Sequence, residues 1–206
     1  IRILLLLKGM GQAAFGKLQL GRSNILATGL LLTLGFLGYG SSVQGYEVRG
    51  YVWPEATTAF HVSIPGANGL WNETFEIAAQ QWNDVTPFTF ETVPNSFKDP
   101  CDNPNDVTAR NGVKFSDTIC GEAFGPTTLA VQTTWWIQGE QTPIQSGIWF
   151  STGYEWAVYH GPTDQGPDGI FDFRRVAMHE LGHALGLDHE EDVPSLMHAV
   201  VSDIEL

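Results

Sequence analysis

The 206-residue chain is short of positive charge, of cysteine and of long apolar runs. Only 10 lysines and arginines stand against 23 aspartates and glutamates, a formal net charge of −13. A field of that sign attracts neither a phosphate backbone nor an anionic lipid surface, so nucleic acid and anionic membrane are excluded as partners. The apolar run at 25–37 has thirteen residues, whereas about 20 are needed to span a bilayer, so no permanent membrane anchor is expected. Acidic side chains are missing altogether before Glu47, while Arg2, Lys8, Lys17 and Arg22 all lie there. No internal repeat or low-complexity block interrupts the remainder, which is rich enough in apolar residues (43% overall) to bury one sizeable core. The two cysteines, Cys101 and Cys120, are read as one disulfide of an exported protein. Such a bridge closes a loop of about twenty residues and is worth ~3 kcal/mol by loop entropy.

Taken in order, the chain opens with a signal-peptide layout: a start at Met10, basic Lys17 and Arg22, the apolar run, then small and polar residues up to Gly45. We expect a signal segment over 1–45 and one α+β domain over 46–206, with its strands early and a last helix late. Val48, Tyr51 and Trp53, followed by the alternating Phe60, Val62 and Ile64, predict a first strand that ends at Pro65 and Gly66. Residues 70–82 predict a helix capped by Asn72, with Phe75, Ile77, Ala78, Ala79 and Trp82 along one side. Asn72 also begins a glycosylation sequon. Alternation over 87–93 predicts a second strand, and further strands are expected at 129–137 and 148–151. The aspartates between 164 and 172 invite a calcium reading, but the twelfth position of an EF-hand loop would hold Glu where this chain has Arg175. A solvated loop leading into a helix cap is the preferred reading, and calcium is doubted.

The densest chemistry lies at 176–189. His179 and His183 stand four apart, so on a helix both imidazoles leave one face and reach the same metal ion. Glu180 places a carboxylate beside that ion without ligating it, where a general base belongs. Gly186 suits a left-handed helix end that swings the chain round, so that His189 supplies a third ligand. Three protein ligands leave the fourth position of a tetrahedral zinc open, the mark of a catalytic rather than a structural site. His61, His160 and His198 lack partners at readable spacing and are read as ordinary histidines.

This stretch resembles the metzincin metallopeptidases: His179, Glu180, His183, Gly186 and His189 fill every specified position of their extended motif, and Ser195, Leu196 and Met197 look like the methionine turn. Glu190 and the Met197, His198 pair are similar to the astacins. The short spacing to Met197, and Ala199 where astacins place a tyrosine, favour the matrixins. Residues 78–90 look like the matrixin helix running into its second strand; Leu129 with Ala130, and Phe150 with Trp156, look like the later strands.

The resemblance implies a twisted, mostly parallel sheet, an active-site helix and a methionine turn in which Met197 packs beneath the metal. It implies a secreted zinc endopeptidase, monomeric and acting on protein or peptide substrates, with Glu180 as general base. Substrate would lie extended along an edge strand, for which 129–133 is the candidate. Where vertebrate matrixins carry histidines for a second zinc, this chain has Val131 and Trp149; where they carry calcium-binding carboxylates, it has Ser151 and Tyr154. One zinc is therefore expected. Neither a cysteine-bearing propeptide before Trp53 nor the family's last helix before Leu206 is expected in this chain.

Overall fold

The computed structural model describes residues 47–102, 111–136, 142–161 and 169–200. Residues 1–46, which include the stretch expected to be a signal segment, and residues 103–110, 137–141, 162–168 and 201–206 lie outside them. In chain order the elements are β1 (Glu47–Val48), β2 (Thr57–Val62), a 3-10 turn (Ala67–Gly69), α1 (Leu70–Val85), β3 (Thr89–Pro94), β4 (Gly112–Ser116), β5 (Thr118–Ile119), β6 (Glu122–Ala123), β7 (Ala130–Trp136), β8 (Pro143–Ser151), β9 (Glu155–Ala157), β10 (Ile170–Asp172), α2 (Phe173–Leu185) and β11 (Leu187–Asp188).

Five strands form the main sheet in the order β3-β2-β4-β8-β7. The first three pairings are parallel and the last, β8 with β7, is antiparallel. This is the mostly parallel sheet that the resemblance implies, with β7 at one edge. Thr58, Phe60 and Val62 of β2 alternate inwards, and Val113, Ile148 and Phe150 continue the same apolar layer across β4 and β8. Phe75, Ala78 and Ala79 of α1, and Phe173, Val176, Ala177, Leu181 and Ala184 of α2, complete one core. Trp82 ties the helices together, its indole Nε1 donating to the Met178 carbonyl at 2.9 Å.

Three local expectations need correction. The alternation over 46–64 is not one strand: Gly50 in a left-handed conformation (φ 80°) and Pro54 divide it into β1 and β2, which belong to different sheets. Asn72 does not cap α1. The helix begins after left-handed Gly69, and the Asn72 Oδ1 accepts instead from the Ile64 amide at 2.8 Å, pinning the incoming chain to the first turn. Ile77 is 44% exposed, on the opposite side from Phe75 and Ala78.

Asn111 is a polar stitch inside this frame. Its Nδ2 donates to Thr58 Oγ1 and to the Ala59 carbonyl, and its Oδ1 accepts from the Ser146 amide at 2.7 Å. A fully buried amide is tolerable here because each of its hydrogen-bonding groups is answered.

The disulfide forms between Cys101 and Cys120, 19 residues apart, and closes the segment before β4 onto the β5–β6 hairpin. Above it, Gln145 of β8 donates to the Pro100 carbonyl at 2.8 Å, so the bridged segment packs against the sheet. Reduction is expected to cost ~3 kcal/mol. The check is the urea midpoint with and without reductant at constant slope; a midpoint that does not move would refute it.

Candidate metal centre

α2 starts where Asp172 accepts from the Arg174 amide and ends at Gly186, which is left-handed at φ 108°. One side of the helix enters the core through Phe173, Ala177, Leu181 and Ala184. His179 and His183 leave it elsewhere, one turn apart, and the chain returns through β11 to bring His189 beside them. The ligand atoms of the three histidines lie within 4.8 Å of one another. His183 Nε2 and His189 Nε2 approach to 3.1 Å.

The second nitrogen of each helical histidine decides what the first can do. His179 Nδ1 donates to the Leu196 carbonyl at 2.7 Å and His183 Nδ1 to the Leu187 carbonyl at 2.9 Å. A carbonyl only accepts, so each Nδ1 carries the proton and each Nε2 presents a bare lone pair. The Nε2 of His179 is buried and has no hydrogen-bond partner. Burial pushes the His179 pKa down to about 3 and lowers those of His183 and His189 below the ordinary imidazole value. Three neutral, converging imidazoles, one with an orphaned buried nitrogen, fit a zinc ion.

Glu180 follows the first of them in the helix and is 1% exposed, its carboxylate answered by no side chain. Burial raises its pKa to about 8; the Arg49 charge and the Gln132 amide oppose this without cancelling it.

The turn at 195–198 packs against α2. Met197 is 2% exposed, and a Cβ added to Gly182 of α2 would run into its sulfur. The same turn supplies the Leu196 carbonyl to His179, and the Met197 carbonyl accepts from the Glu190 amide at 3.0 Å. Glu190, the residue after the third histidine, is spent locally: its Oε1 accepts from the Asp192 and Val193 amides. His61, His160 and His198 stand outside the cluster, bonded to Ser96, Arg174 and the Val200 amide.

Residues 67–205 match the family model for matrixins, peptidase family M10. The chain belongs to the matrixin family. Matrix metalloproteinase-23 of Homo sapiens is 30% identical over 131 residues, and that of Rattus norvegicus 30% over 129; each alignment covers 59% of this chain. Matrix metalloproteinase-B of Caenorhabditis elegans is 32% identical over 68 residues, 33% of this chain. The alignments span only 29%, 29% and 13% of those relatives, so this chain corresponds to part of their length. Family and geometry together make this a matrixin metallopeptidase domain with a zinc-binding triad of His179, His183 and His189.

The positions at which vertebrate matrixins hold a second zinc are apolar in this one. Val131 and Trp149 face each other directly across β7 and β8, both buried, and Trp149 packs against Trp135 with ring centroids 6.0 Å apart. Ser151 Oγ accepts from the Gly153 amide, and the Tyr154 hydroxyl donates to the Pro126 carbonyl. The aspartates at 164 and 168, on which the calcium reading rests, lie outside the described residues.

Sequence reading overlooks Arg49, Tyr51 and Gln132, which the fold brings to the site. Arg49 Nη1 donates to Gln132 Oε1 at 3.0 Å, and Gln132 Nε2 donates to Thr134 Oγ1 and Ser146 Oγ. The Tyr51 hydroxyl donates to the His183 carbonyl. Arg49 and Gln132 are 83 residues apart in sequence, and Tyr51 and His183 are 132 apart, so no local pattern could have flagged them.

Proposed function

We propose that this matrixin domain is a secreted zinc endopeptidase that hydrolyses peptide bonds of protein or peptide substrates, with Glu180 as its proton carrier. The observation that carries the reading is a fully buried carboxyl set beside three converging, neutral imidazoles. When bound, zinc supplies a positive charge that acidifies water and polarises a peptide carbonyl. Glu180, next to the first ligand in the same helix, would take a proton from such a water and hand it to the departing amine. Burial makes the Glu180 carboxylate a stronger base, so it takes a proton readily, and the charge of an ion beside it would keep the resting group ionised and favour passing the proton on. Met197 acts by packing under the histidines.

Edge strand β7 supports the binding half of the reading. It has one neighbour in the sheet, β8, so among the described residues its other edge is open to an extended peptide. Residues 129–133 of this region run beside α2, with Gln132 near Glu180. Export is supported by the disulfide, which belongs to an oxidising compartment, and by the layout of 1–45, which we take as the signal segment preceding a domain over 46–206. The domain acts as a monomer.

The test is cleavage of an unstructured protein by the purified chain, with products mapped by mass spectrometry. Internal cuts that stop with chelator and resume with zinc support the proposal. Zinc bound at the triad without any cut would overturn it in favour of a binding protein that keeps the fold.

A further inference from the structure

The three ligands are not held in the same way. His179 and His183 ride on α2, and each ring is oriented by a main-chain carbonyl. His189 follows the helix on a return strand of two residues, and among the described residues no carbonyl orients its ring. What fixes it is the main chain: the His189 amide donates to Asp188 Oδ1 at 2.9 Å.

Asp188 is in turn reached from the other end of the sequence. β1 pairs antiparallel with β11, Val48 opposite Leu187. The Arg49 amide donates to the Gly186 carbonyl at 2.9 Å, the position at which α2 ends. The Arg49 side chain, 13% exposed, then spreads between two elements: Nε lies 3.6 Å from Asp188 Oδ1, the oxygen that also holds the His189 amide, and Nη1 reaches Gln132 on β7. Farther along this strap, the Tyr51 hydroxyl bonds both the His183 carbonyl and Thr134 Oγ1, and the Trp53 Nε1 donates to the Ala184 carbonyl at 2.7 Å. The last carbonyls of a helix are short of intrahelical partners, and here the Tyr51 and Trp53 side chains bond two of them while the Arg49 amide takes the Gly186 carbonyl.

We propose that Arg49 is a positioning residue of the metal site, clamping the return strand that carries His189 to edge strand β7. The proposal rests on zinc binding at the triad. It makes a demand that charge alone contradicts. A guanidinium beside a dication repels it, so if Arg49 acted only through its charge, removing that charge would tighten zinc binding. A clamp has the opposite sign, because losing it frees the third ligand.

The experiment measures the zinc Kd by chelator competition, and the visible absorption of the cobalt-substituted protein, for wild type, Arg49→Gln, Arg49→Lys and His189→Ala. Lysine keeps the stem and the charge but lacks the planar fork that reaches two partners at once. Both Arg49 variants are expected to weaken zinc about 10- to 100-fold, as partners behind metal ligands typically do, and to lower the intensity of the cobalt bands. Arg49→Gln binding zinc as tightly as wild type or more tightly, or Arg49→Lys matching wild type in both readouts, would overturn the clamp. Tyr51→Phe, which removes one hydroxyl from the same strap, is expected to weaken zinc in the same direction, and an unchanged Kd there counts against it. Wild type failing to bind zinc, or His189→Ala binding it normally, would overturn the triad and the clamp with it.

Discussion

Glu180→Gln lowers kcat/KM by about 10⁴-fold, the upper range for loss of a general acid–base, while zinc stays bound. Glutamine preserves the shape of a side chain that is 1% exposed, so neither a cavity nor a clash follows. The ligands are the three histidines, none of which depends on Glu180 for a hydrogen bond. What is lost is the ability to carry a proton. Turnover of a quenched peptide, read beside zinc content by atomic absorption, is the check; a variant with normal zinc and more than about a tenth of wild-type turnover would end the assignment. The same substitution has a visible effect on the metal-free protein. Its Glu180 has a folded pKa of about 8, above the ordinary value of 4.5. Between those values the folded chain holds a proton that the unfolded chain has released, so this group makes stability fall as pH rises from about 4.5 to about 8. Glutamine removes that slope.

Zinc removal abolishes turnover altogether, and its rebinding carries a proton signature. The imidazoles are already neutral in the folded chain, the His179 pKa lying near 3, so at pH 7 they have no proton to surrender. Glu180, at about 8, does. The charge of the incoming ion favours the carboxylate, so binding expels that proton, and affinity should rise with pH up to about 8 before it levels. Calorimetry at pH 7 in buffers of different ionisation enthalpy is expected to show roughly one proton more released by wild type than by Glu180→Gln. Equal proton counts would mean that the metal-free carboxyl is already charged.

Why the site was readable in the sequence, and its support was not, follows from where the interactions lie. His179, Glu180, His183 and Gly186 sit within two turns of one helix, so periodicity alone converges them, and the return to His189 needs only a glycine able to adopt a left-handed backbone. Met197 is eight residues farther on. By contrast Gln132 and Arg49 meet only because β7 flanks α2 and β1 folds back onto β11, and neither event leaves a trace in local spacing. Asn111 is similar: an asparagine in a stretch rich in loop residues looks like a turn former, yet it is buried and links β2 to β8. The misassigned cap at Asn72 shows the same limit at short range. Its oxygen had two amides to choose between, its own helix's first turn or Ile64, and tertiary placement of the preceding strand decided for the latter.

The contact between Gly182 and Met197 constrains how such a chain can diverge. Any side chain at 182 would enter the volume of the thioether and press on Trp82 behind it. The thioether is the flexible end of its side chain but is buried, so it could yield only by repacking beside Leu196, whose carbonyl orients the first ligand. The two positions are thus coupled: a side chain gained at 182 asks for a smaller or re-packed one at 197.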